Sequence, residues 1–176
     1  ARTQLPEAPE SAWRRPVMEV LMTRLQANDF YLALPQPGGI EQFTFAQSAL
    51  IVAAMDLSGY SLEAERLLRI YWDLPAPQAF ESLSQGKDGQ WQDRTQRTSA
   101  HAWALFALTR HGLWTADKPW AQEIWPAVRA GCDWLANPQA SASLDGLGRK
   151  VAAAALRGAA RLAQEIDAPE GPAWEG

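Results

Sequence analysis

The chain has 176 residues, 47% of them hydrophobic and 20% charged, enough for one ordinary domain with a real core and wrong for a disordered segment. Its net charge of −4 argues against nucleic acid or an anionic membrane as the main partner, because both need a basic face. The single cysteine, Cys132, excludes an internal disulfide framework.

No apolar run reaches membrane-spanning length and no secretory signal is visible, so a soluble protein is expected, with the cytoplasm favoured. A start at Ala1 rather than Met fits a chain that is processed or cut from a longer one. Residues 1–10 are polar and proline-bearing and read as an irregular lead-in. A single helical domain is expected over residues 11–167, with an irregular tail at 168–176.

From Ser11 the pattern turns helical. Trp13, Val17, Leu21 and Leu25 form one apolar stripe, and the helix is expected to end near Asn28. A proline- and glycine-rich loop follows. The second helix is expected over about residues 42–58, and its run AQSALIVAAMDL is apolar almost all round, which predicts burial on most sides. Gly59 is a good stop. Ser61 suits the N-cap of a two-faced third helix that runs to about Asp73, with Ala64, Leu67, Leu68 and Tyr71 inward. The longest loop spans about residues 74–96.

The fourth helix, about Thr98 to His111, is again apolar nearly all round. The fifth begins near Asp117 with Pro119 in its first turn; Pro126 is expected to break or kink it, and Asn137-Pro138 to stop it. A polar segment, QASASLDG, leads to an alanine-rich last helix, about Leu147 to Ile166, with arginines on one side.

Two-faced and buried helices alternate, and so do short and long connections. This predicts an all-α fold of about six helices in outer-inner hairpins, with the long loops on one face. Function tends to sit on such loops.

The stretch with Leu57, Gly59, Tyr60, Glu63, Ala64 and Glu65, followed by Trp125, Pro126, Val128, Trp134 and Leu135, resembles the six-hairpin glycosidases. It is most similar to glucoamylase-like members of glycoside hydrolase family fifteen. The resemblance implies part of an α/α toroid, about three of six hairpins, directed at oligosaccharides. It also implies that a second copy or a missing half closes the ring and covers its apolar edges. Where the family carries an arginine-aspartate pair at the first buried helix, this chain has Ala46 and Gln47. In the segment that bears the family's acid catalyst, this chain has only Asp145. Inverting hydrolysis takes two carboxyl groups across one bond, so no catalytic pair is assigned.

The segment KDGQWQDRTQR, residues 87–97, holds Trp91, Asp93, Arg94 and Arg97 before a buried helix. An aromatic ring suits a sugar's C–H face, and charged planar groups suit its hydroxyls. By resemblance this is a substrate-binding loop, and Trp91→Ala is expected to abolish binding and spare the fold. A polar loop whose arginines pair with its own aspartates is the plainer alternative. Glu41 and Gln47, at the start of the second helix, are further candidates for hydroxyl binding, although Glu41 also fits a first-turn acid. His101 is expected to be a buried structural histidine and His111 to cap a helix end. Of the tryptophans, Trp72, Trp103, Trp120, Trp125 and Trp134 fall at helical positions and are expected to pack in the core or between helices. No ligand spacing for a metal and no cofactor motif is present. The alternatives to a hydrolase-like domain are a non-catalytic glycan binder and a helical-hairpin module that binds protein.

Overall fold

The computed structural model describes residues 25–27, 30–32, 43–72, 83, 85–93, 98–169 and 174. The fold is all-α and built of helical hairpins. One small exception is an antiparallel pair of three-residue strands, β1 (Leu25–Ala27) and β2 (Phe30–Leu32), which aligns Leu25 with Leu32 and Ala27 with Phe30. Residues 25–27, expected to lie in a helix ending near Asn28, are therefore extended, and the rest of that expected helix, residues 11–24, lies outside the described residues. Residues 25–27 find backbone partners in a neighbouring segment instead.

Among the described residues six α-helices follow: α1 (Phe45–Leu57), α2 (Ser61–Leu68), α3 (Thr98–Thr115), α4 (Lys118–Leu135), α5 (Pro138–Ala142) and α6 (Gly146–Glu165). Thr44 caps α1 by accepting from the Gln47 amide. At its far end Gly59 takes φ +84°, and the amides of Gly59 and Tyr60 reach back to Asp56 and Met55, a Schellman closure. Tyr60, not Ser61, occupies the N-cap of α2 and makes no side-chain cap bond there. A 3-10 turn, Arg69–Tyr71, continues that helix, and Ala64, Leu67, Leu68 and Tyr71 all face inward as expected.

α3 runs four residues past His111, to Thr115. Ala116, at φ +53°, ends it, and Asp117 caps α4 by accepting from the Trp120 amide. α4 continues through Pro126 without a break. Pro126 and Gln122, whose carbonyl loses its partner to the missing N–H, both lie exposed, so solvent can serve the freed group. The polar segment after Asn137 is not wholly irregular, since Pro138–Ala142 makes the short α5. Asp145 then caps α6 through the Gly148 amide at 2.6 Å.

α3 is the central helix. It packs most extensively on α6, then on α1, and also on α4 and α2. Its buried residues include Leu105 and Leu108, which join Phe45, Val52, Met55, Leu67, Ile124, Val128 and Leu162 in one core. Trp174 in the tail is buried too, its ring 5.7 Å from Trp125. α1 is not enclosed as its composition predicts. Leu50 and Leu57 are 60% and 59% exposed, with Ala54 between them on the same outward stripe.

Candidate functional site

The segment 85–93 is pinned to the helices rather than displayed by them. Gln85 donates from Nε2 to the carbonyls of Gly89 and Ala127, both at 2.8 Å. Trp91 is fully buried. Its Nε1 donates to the Tyr71 carbonyl at 2.9 Å, and its backbone N–H donates to Nδ1 of His101 at 3.1 Å. His101 in turn donates from Nε2 to the Gly131 carbonyl at 2.9 Å. Because Nδ1 accepts, the ring's hydrogen sits on Nε2. Burial lowers the His101 pKa from 6.5 to about 4, against the pull of its bond to the Gly131 carbonyl. The ring is a neutral structural element, as expected.

Gly131 makes this arrangement possible: a Cβ there would lie 2.5 Å from the Trp91 ring. Trp91 therefore corrects the expectation of a sugar platform. No ligand reaches its faces, one of which is set against His101.

Asp93 emerges on a different side. One carboxylate oxygen accepts from the Phe45 amide at 3.0 Å and holds the start of α1. Asp93 is 6% exposed and lines a cleft of about 220 Å³ with Thr44, Ser99, Trp103, Asp145 and Leu147. The cleft lies where the N-terminal ends of α1, α3 and α6 meet, the end into which both long connections lead. Trp103, on the first turns of α3, forms part of its wall and is half-buried. Its ring meets Phe106 in a T-shaped contact at 5.8 Å.

Of the residues singled out in sequence, the structure thus brings Asp93 to this cleft. Gln47 is exposed one turn into α1 and accepts from the Thr44 hydroxyl at 2.9 Å, so it adjoins the cleft through Thr44 without lining it. Glu41, Arg94 and Arg97 lie outside the described residues. Trp103 was not expected as a site residue, and Asp145 was noted only as the one acid in the segment where the resemblance puts an acid catalyst. Trp103 does pack against the core, but it also lines open space, and the only hint of this is its place one turn inside the helix that follows the longest loop.

His111 does not cap a helix end. Its Nδ1–H donates to the Asp56 carboxylate at 2.9 Å in the interior between α1 and α3, while Arg110 approaches the other carboxylate oxygen at 3.6 Å. Cys132 is buried, and burial raises its thiol pKa. Among the described residues no His, Cys, Asp or Glu cluster is placed to hold a metal ion. No helix among them is long and apolar enough to cross a membrane.

Comparison with protein-family models, curated proteins and solved structures gives no match.

Proposed function

We propose that this chain is a carbohydrate-directed domain of the glycoside-hydrolase-like, α/α-toroid kind, and that the cleft between Trp103, Asp93 and Asp145 takes a residue of a neutral oligosaccharide. One observation carries the reading: Trp103, whose indole is half-buried, lines one opening together with Asp93, Asp145, Thr44 and Ser99. An indole face covers sugar C–H groups, and carboxylates and hydroxyls take its hydroxyls. The volume lies below the roughly 300–1,000 Å³ of drug-sized sites, which suits one ring with the rest of the oligosaccharide outside.

The reading favours binding over hydrolysis by this chain alone. Asp93 and Asp145 each already accept a backbone N–H that holds a helix start. Hydrolysis needs one carboxyl to donate a proton across the bond from the other. The experiment is a tryptophan-fluorescence titration against malto-, isomalto- and other neutral oligosaccharides, with a reducing-sugar assay on any that binds. Saturable binding without turnover supports the reading. Turnover moves it to a hydrolase, and silence from the folded chain removes it.

A second reading has its own observation. The stripe of Leu50, Ala54 and Leu57, together with Leu62 at 72% exposure, is apolar surface without cover. A second copy of this chain, or the other half of a ring, would bury it. Sedimentation velocity over a concentration series separates a dimer from a monomer.

A further inference from the structure

The chain is acidic overall, yet α6 carries Arg149, Lys150, Arg157 and Arg161 against one carboxylate, Glu165. Arg157 and Arg161 sit four residues apart, one helical turn, where like charges repel. Among the described residues neither has a carboxylate partner. They form one wall of a cleft of about 340 Å³ between α3 and α6, distinct from the opening at the helix N-termini. Phe106, Arg110 and Trp114 line it from α3, and no acidic residue does.

The cleft is shaped to persist. At its floor Gly158 lies so close to Thr109 that a Cβ would come within 2.9 Å of the Thr109 hydroxyl, so the two helices are already in contact and cannot close further. Arg110 is held by its neighbours: its guanidinium carbon lies 5.7 Å from the Trp114 ring centroid, and Asp56 stands behind it at 3.6 Å. That approach makes no hydrogen bond, and the Nη1 of Arg110 has no acceptor among the described residues. Trp114 is half-exposed at the mouth.

Three guanidinium groups and two aromatic rings around one cleft describe a complementary ligand. We propose that this cleft binds a small molecule that joins an oxyanion, a carboxylate or a phosphate, to a flat apolar body. The planar forks of Arg157 and Arg161 pair with the oxyanion, and its arrival relieves their mutual repulsion. Phe106 and Trp114 cover the flat body.

The test is calorimetric titration of the full chain with benzoate, with phenyl phosphate and with phenol as the uncharged counterpart, at low and at high salt. Saturable binding of at least one anion, weakened by salt and absent for phenol, is expected. Benzoate alone assigns a carboxylate ligand, phenyl phosphate alone a phosphate ligand, and both together a general oxyanion site. The Arg157→Gln/Arg161→Gln variant, altered only at exposed positions, should keep its melting temperature and lose at least about tenfold in affinity. The proposal is overturned if neither anion binds, if phenol binds as well as the anions, or if the double variant binds them undiminished.

Discussion

The two sides of α3 obey different rules. Inward, its polar groups are matched: His101 with Trp91 and Gly131, His111 with Asp56. Outward, Trp103, Phe106, Arg110 and Trp114 follow one another at helical spacing beside open clefts, and the arginines facing them from α6 lack carboxylate partners among the described residues. A buried polar group without a partner costs stability, so the inward side is constrained by folding. Apart from Arg110, whose Nη1 is buried toward Asp56, the outward side escapes that constraint and has room for ligands. A tryptophan's place in a loop or a helix is therefore a poor guide to its role. Trp91, in a loop, belongs to the inward set; Trp103, in a helix, belongs to the outward one.

Substitutions that test this division start with Trp91→Ala. Removing a fully buried indole, with its bond to Tyr71, should cost about 3–5 kcal/mol in denaturant unfolding. A loss below about 1 kcal/mol would place Trp91 outside the core and erase the contrast.

Acid should strain the inward side next. The unfolded His101 imidazole takes up a proton near pH 6.5, whereas the folded one holds out until about 4. Between those values the unfolded state binds more protons, so stability falls as pH falls, by about 3 kcal/mol from this group, and levels off below 4. Chemical denaturation at a series of pH values between 7 and 4 reads this directly. A flat profile would mean that His101 is reached by water.

Gly158→Ala probes the seam between α3 and α6. The added methyl meets the Thr109 side chain, and a loss of about 1–3 kcal/mol in thermal unfolding is expected. An unchanged melting temperature would mean that the seam is loose and the cleft above it variable. The smallest stability effect belongs to Trp103→Ala, about 1 kcal/mol or less, since its ring is already half in solvent.

Much of the helical order was legible in the residues because capping and stopping are local chemistry. Gly59 stops α1, Asp117 starts α4 with Pro119 behind it, and Asn137-Pro138 ends α4, each by its own backbone preference. The failures share a non-local cause. Leu25 fits a helical stripe, but residues 25–27 pair with 30–32, and a three-residue strand has too short a pattern to announce itself. Pro126 is tolerated because it lies on the solvent side of α4, which only packing decides. The site was harder still. Trp91 is buried by a glycine forty residues away, and nothing near it in the chain says so. A helix that is apolar all round, as α1 and α3 are, carries no asymmetry to show which stripe the fold will leave open.

The most direct test of the account is calorimetry of wild-type and Trp103→Ala chains against whichever neutral oligosaccharide binds most tightly, with the melting temperature of each recorded alongside. The account predicts that the variant melts within a few degrees of wild type and binds at least about tenfold more weakly, the usual scale for losing a stacked aromatic face. Undiminished binding by a folded Trp103→Ala chain would contradict it and move the carbohydrate site away from the N-terminal ends of α1, α3 and α6.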